Sequence, residues 1–177
     1  VVVSSDGPEL TAIKWVNGVS HLVVDIPRAI SPARDFYGLL KLLYLFKRRR
    51  FDIVHSTTPK AGFLTAIASF LCKVPIRLHT FTGQPWVEMR GIKRWLALGS
   101  DRVIGILNTH CYADSASQRD FLIEMKLIKP NKISVIGAGS LAGVDIARFN
   151  PSRIICGERD SLRQKLGIPK GGLIILF

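Results

Sequence analysis

Acidic residues are scarce in this sequence: 13 Asp and Glu stand against 25 Lys and Arg, a formal net charge of +12 over 177 residues. An excess of that size draws polyanions, whether nucleic acid, anionic lipid headgroups or phosphate-bearing substrates. Cysteine is scarcer still. Cys72, Cys111 and Cys156 are an odd number, widely spaced and never C-x-x-C, so neither a disulfide framework nor a zinc site is indicated; they read as buried thiols in a reducing compartment. No apolar run approaches the roughly 20 residues that cross a bilayer. The longest apolar-rich stretch, 61–74, is interrupted by Thr65, Ser69 and Lys73. A signal peptide, an internal repeat and a low-complexity segment are also missing. The expected protein is soluble or peripheral, and cytoplasmic.

Apolar side chains, 47% of residues, are present in ordinary globular measure, enough for one sizeable core. Short β-branched runs alternate with helical patterns. Strands are expected at 1–5, 21–26, 52–56, 75–81, 110–114, 132–136 and from about 173. Helices are expected at 9–16, from Ser31-Pro32 to the basic run 47–50 at its C-terminus, and at 59–72, 91–107, 115–127 and 161–166. Ser31 reads as the N-cap of the long helix, with Pro32 in its first turn and Phe36, Leu39, Leu40, Leu43 and Phe46 as its apolar stripe. Ser115 with Gln118 three residues on forms a capping box. This β-α alternation predicts an α/β fold, a Rossmann-like parallel sheet with helices on both faces. Both ends of the chain fall inside strand-like runs and read as cut. The expected division is a Rossmann-like domain over 1–150, followed by a linker and the first strand of a second domain over 151–177.

Ligands of open α/β sheets bind beyond the carboxyl ends of the strands. Four runs carry polar residues there: His55-Ser56-Thr57, His79 to Gln84, Asp114-Ser115, and Gly137 to Ser140. Four polar tips on one edge predict a shared crevice.

Those same tips carry a resemblance. Residues 52–62 (DIVHSTTPKAG), 78–86 (LHTFTGQPW) and 113–122 (ADSASQRDFL), and VIGAGS at 135–140 with GVD and RF soon after, resemble the family-four retaining glycosyltransferases of bacteria, which have the GT-B fold. The blocks come in the family's order and cover about the middle two-thirds of the chain. Within the family the mix resembles enzymes of surface-polysaccharide and O-antigen assembly. The resemblance implies an N-terminal, acceptor-side domain lacking its first strand and glycine-rich turn, and lacking nearly all of the donor-binding domain, so that this chain is inactive alone. It implies a hexosyltransferase reaction with a nucleotide-sugar as substrate, a lipid-linked sugar as acceptor, no cofactor and no essential metal.

By that resemblance His79 matches the cleft histidine beside the transferred sugar, where an imidazole donates a hydrogen bond to a sugar hydroxyl as charge develops. It reads as lying just past its strand, in a loop. Thr82, Gly83 and Gln84 shape that loop and offer donors and acceptors, or form an ordinary turn. His55 lines the neighbouring strand end. Lys60 meets an acceptor phosphate or only solvent, and Thr57 or Thr58 caps the following helix. Ser115 and Arg119 are candidate substrate contacts, although capping alone explains their spacing. Gly139 and Ser140 lie in a glycine-rich loop whose backbone N–H groups suit phosphate or sugar oxygens, or which is simply a turn.

Arg90, Lys93 and Arg94 interleave with Trp86, Ile92, Trp95 and Leu96. A basic, aromatic helix of this kind suits the anionic inner face of the plasma membrane, with a solvated face and buried tryptophans as the alternative. Two other functions fit the composition: a nucleic-acid-binding domain, disfavoured because no aromatic stacking platform is evident, and a non-catalytic subunit that presents an acceptor to a separate donor-binding protein.

Overall fold

The computed structural model describes all residues except 8–15, 28–30, 141, 142, 144, 151, 153–155, 170, 171 and 175–177. It forms two compact units, Val1–Leu141 and Ala142–Phe177.

In the first unit the elements run β1 (Val2–Ser4), β2 (His21–Val23), α1 (Pro32–Arg49), β3 (Ile53–Ser56), α2 (Pro59–Leu71), β4 (Ile76–Phe81), α3 (Gly91–Leu107), β5 (His110–Ala113), α4 (Ala116–Glu124) and β6 (Ile133–Val135). Strands β1 and β2 pair in parallel, and β3-β4-β5-β6 form a second, four-stranded parallel sheet in sequence order. A strand order that advances steadily through right-handed crossovers carries the intervening helices to one side. Accordingly α2, α3 and α4 pack on the face that bears His79, Phe81, Cys111, Ala113 and Ile133. Its core joins Ala66, Ile104, Leu122, Leu127 and Ile128 to Trp86. A second core under α1 and α2 gathers Val24, Leu42, Phe46, Leu64 and Ala68, with Val3 and Val54 against it.

The helix expected at 9–16 lies almost wholly outside the described residues. In the second unit α5 (Cys156–Lys165) begins five residues before the expected start at Ser161. The expected final strand does not form over residues 172–174, which are irregular, and its remainder lies outside the described residues. Helix α1 buries Gly38, Leu42 and Phe46, while Phe36 and Leu40 of the expected stripe are exposed. Ser31 occupies the N-cap position without a side-chain bond; instead its N–H donates to the Asp35 carboxylate at 3.1 Å. Cys111 is buried, which pushes its thiol up to about 12, whereas Cys72 is only half-buried.

One buried acid ties the core together. Trp86, stacked on Phe121, donates its indole N–H to Asp101 at 2.6 Å. Burial raises the Asp101 carboxyl to about 6, with the Trp86 bond acting in the opposite direction. An acid that holds its proton longer when folded contributes stability that is lost as pH rises from about 4 through about 6. His79, lowered to about 4 by burial and by His55, acts oppositely, losing stability as pH falls from 6.5 toward 4. In the wild type the two largely offset each other. Asp101→Asn keeps an acceptor for Trp86 and removes the charge. It should gain on the order of 1–3 kcal/mol at pH 7 and then lose stability more steeply than wild type between pH 6 and pH 4. Thermal melts across that range check both slopes.

Candidate active-site rim

Strand β3 ends at Ser56, level with His79, while β4 continues to Phe81 beside Ala113 of β5 and Val135 of β6. His79 therefore does not lie past its strand in a loop: pairing with β5 extends β4 two residues beyond it. The ring is 1% exposed. It sits under α2, its Nδ1 2.9 Å from the Ser56 hydroxyl and its edge on Phe81 at 4.6 Å between centroids. A pKa of about 4 leaves the imidazole uncharged at neutral pH, with about one molecule in a thousand protonated. It is a hydrogen-bonding group there, and no proton donor.

A hydrogen-bonded chain crosses the strand ends above it. The Thr82 hydroxyl donates to the Thr57 carbonyl at 3.4 Å. Gln118 reaches from α4, its amide 3.3 Å from Gln84 Oε1 and its carbonyl oxygen accepting the Asp114 N–H at 2.7 Å. The Ser140 N–H donates to the Asp114 carbonyl at 2.7 Å. Gly139 has φ +98°, and a methyl there would collide with that same carbonyl, so only glycine brings this loop so close to β5. Tyr112, Ala113, Asp114, Ile136, Gly139 and Ser140 enclose a small cavity of about 80 Å³. The ends of β3 to β6 are thus brought together on one edge.

Two polar atoms on this rim are buried without a hydrogen-bond partner: Gln84 Nε2, a donor, and Asp114 Oδ1, an acceptor. Leaving such groups unmatched costs about 1–3 kcal/mol each. The sequence put Asp114 among the polar strand tips and Gln118 in the Ser115 capping box. Gln118 does face the Ser115 cap, donating its N–H to Ser115 Oγ at 3.1 Å. Its side chain also links β4 to β5, which local spacing could not reveal.

The remaining candidates lie as follows. His55, exposed, is on the opposite sheet face, its Nε2 2.8 Å from the Thr80 hydroxyl and its ring 6.4 Å from that of Tyr112; burial lowers its pKa. Lys60 pairs with Asp35 at 2.5 Å and donates to the Pro27 carbonyl at 2.7 Å, tying α2 to α1. Arg119 forms an exposed pair with Asp120 at 2.8 Å. The basic-aromatic segment divides: Trp86 is core, whereas Arg90, Lys93, Arg94 and Trp95 are all exposed on or before α3. Among the described residues no helix is long and apolar enough to cross a membrane.

Comparison with known proteins adds the family. Residues 1–139 match the glycosyl transferase 4-like domain. The chain is 35% identical over 148 residues to the capsular polysaccharide biosynthesis glycosyltransferase CapM of Staphylococcus aureus, covering 84% of this chain and 38% of that protein. It is 30% identical over 161 residues to the UDP-Gal:alpha-D-GlcNAc-diphosphoundecaprenol alpha-1,3-galactosyltransferase of Escherichia coli, covering 88% and 38%. The chain thus spans well under half the length of these curated relatives. Its fold is shared with Anabaena HepE, solved in complex with UDP and glucose, at a TM-score of 0.59 and 18% identity over 92% of this chain and 41% of that one. It is shared too with the UDP-GlcNAc 2-epimerase of Neisseria meningitidis, at 0.55 and 14% over 96% and 53%. With the four sequence blocks on one rim and the domain match spanning both sheets, the chain belongs to the glycosyl transferase 4-like domain family.

Proposed function

We propose that the complete protein carrying this chain transfers a sugar, with retention, from a nucleotide-sugar to a lipid-diphosphate-linked sugar in cell-surface polysaccharide assembly. This rim holds the acceptor, at the cytoplasmic face of the membrane. The donor's leaving-group contacts come from the part of the protein outside these residues, so these residues alone are inactive. The reading is supported by the names of both curated relatives, one acting in capsular polysaccharide biosynthesis and one on a diphosphoundecaprenol-linked sugar.

The observation that carries it is the pair of unpartnered buried atoms, Gln84 Nε2 and Asp114 Oδ1, on a rim otherwise closed by hydrogen bonds. A sugar hydroxyl both donates and accepts, so one acceptor hydroxyl or two neighbouring ones satisfy both atoms. Fixing the nucleophilic oxygen removes much of the entropy of bringing acceptor and donor together. The bond from the anomeric carbon to the diphosphate breaks, the bond to the acceptor oxygen forms on the same face, and the hydroxyl proton leaves. His79, positioned by the 2.9 Å contact between Nδ1 and the Ser56 hydroxyl, steadies a sugar oxygen as the anomeric carbon becomes electron-poor. Arg90, Lys93, Arg94 and Trp95 rest on the anionic membrane that presents the acceptor.

Transfer assays on the complete protein, with a panel of UDP-sugars and a lipid-diphosphate-linked acceptor, test this. Asp114→Ala and Gln84→Ala should each raise the acceptor KM about tenfold, one lost hydrogen bond, and leave the donor KM unchanged. An acceptor KM unmoved in both variants would remove these two atoms from acceptor recognition. No transfer from any nucleotide-sugar would remove the activity.

A further inference from the structure

Another groove lies away from the rim. About 510 Å³ in volume, it is walled by the second half of α3 and the connection from α4 to β6. Its residues precede β5 and β6, so it opens at the amino edge of the sheet, and α3, about 25 Å long, separates it from the acceptor rim. Arg102, Lys126, Lys129 and Lys132 line it, with apolar walls from Ile106, Ile123 and Leu127, and no acid lines it.

The geometry of the groove is built, and its charge is not neutralised from within. Gly105 lets α3 press on the Leu127 carbonyl, where a methyl would collide. Leu127 and Ile128 are buried beneath. Lys126 takes a left-handed backbone, φ 55°, in the turn that follows α4. Lys132 is already used: its ammonium donates to the Gly105 and Ile106 carbonyls at 3.0 and 2.8 Å, closing the end of α3. The exposed side chains of Arg102, Lys126 and Lys129 have no ion-pair partner among the described residues. Three cations therefore surround an apolar-walled groove with nothing to balance them.

Helix α3 links this groove to the basic-aromatic segment. At 100° per residue, positions 92, 95, 96, 99, 102, 103 and 106 share one arc. Along it Ile92 is 75%, Trp95 74%, Leu96 59% and Ile106 62% exposed. Arg90, Lys93 and Arg94 border one end and the groove the other; Glu88 is the one acid in 86–96. An apolar stripe with cations at both ends matches a surface that is apolar inside and anionic outside, which is a phospholipid bilayer.

We propose that α3 lies along an anionic bilayer and that Arg102, Lys126 and Lys129 hold a lipid headgroup phosphate in the groove. The inference rests on the membrane-contact part of the proposed function and adds a defined headgroup site, distinct from the acceptor rim.

The test is co-sedimentation of the complete protein with vesicles of phosphatidylcholine alone or mixed with phosphatidylglycerol. Wild type should bind the mixed vesicles and leave the neutral ones. The groove variant Arg102→Gln/Lys126→Gln/Lys129→Gln should lose at least tenfold in partition coefficient. The control Lys47→Gln/Arg48→Gln/Arg49→Gln, the same loss of charge at the end of α1, a helix that packs on α2, should lose less than threefold or so. Equal losses in both variants, or none in the groove variant, overturn the headgroup site while leaving membrane contact standing. Wild type that ignores mixed vesicles yet still transfers sugar to a detergent-solubilised acceptor overturns membrane contact as well. Two further results also overturn the proposal: self-association in sedimentation velocity that Trp95→Glu abolishes, which assigns the α3 face to a second copy, and glycerol phosphate binding to the groove in solution without any vesicle binding.

Discussion

His79→Ala in the complete protein should cut sugar transfer by about a hundredfold or more, the usual loss when one preorganised donor at a developing charge is removed. The loss should appear in kcat, with KM for donor and acceptor nearly unchanged, because the interaction strengthens only as the glycosidic bond to the diphosphate breaks. The ring's setting makes it a preorganised group: Ser56 holds Nδ1 at 2.9 Å, Phe81 bounds one side, and α2 lies over it. A pKa of about 4 keeps it neutral, so the His79-dependent part of the rate should be flat from pH 6 to pH 8. A general acid with an ordinary histidine pKa would titrate inside that window. Alanine also leaves a cavity in a packed interior, so His79→Gln serves as the companion: it fills most of the space and keeps an N–H donor. It should retain more stability than alanine and recover part of kcat. Wild-type turnover in folded His79→Ala protein would take the imidazole out of the chemistry and leave it as a core residue.

How far such a site can be read from sequence depends on how local its causes are. The parallel α/β order was legible because β3 to β6 and the helices between them each show their own period, and their bounds fall within a few residues of expectation. The Ser115 cap was legible because donor and acceptor are three residues apart. The place of His79 was not: the strand was expected to reach Phe81, but a ring held inside it under α2 rather than in a loop depends on pairing with β5, 32 positions along the chain at Phe81↔Ala113. Nor could periodicity find the buried face of α1. Phe36, Tyr37, Leu39, Leu40, Leu42, Leu43, Tyr44, Leu45 and Phe46 surround most of that helix, and the side that goes in is set by its packing with Val24, Leu64 and Ala68 in the second core. The same holds for the two tryptophans. Trp86 and Trp95 sit in one basic-aromatic segment, but Asp101 and Phe121 receive Trp86 and nothing receives Trp95 among the described residues. The unmatched atoms of Gln84 and Asp114 are likewise invisible until Gln118 is seen to occupy their other hydrogen-bonding positions.

Gly62→Ala, on propensity alone, should stabilise the protein, since glycine inside a helix costs about 1 kcal/mol relative to alanine. The packing of α2 on β4 reverses that sign. A Cβ at position 62 would fall 2.5 Å from His79 Cε1 and 2.7 Å from Nδ1, with Ile104 Cδ1 at 3.3 Å on the other side. The imidazole cannot swing away cheaply, being fixed by Ser56 and walled by Phe81. Overpacking a filled core costs about 1–3 kcal/mol, and rupture of the buried Ser56–His79 bond adds about 1 kcal/mol. Against the propensity gain, the expected net effect is a loss of about 2 kcal/mol in denaturant unfolding, with transfer falling because the ring is displaced. The double variant Gly62→Ala/His79→Ala separates this from a general intolerance of α2. If the clash is with the ring, the added methyl enters the space the imidazole vacates, and the pair should be more stable than the sum of the two single losses by about 1–3 kcal/mol. Additive losses would place the cost of the methyl in the helix itself and free His79 from any steric tie to Gly62.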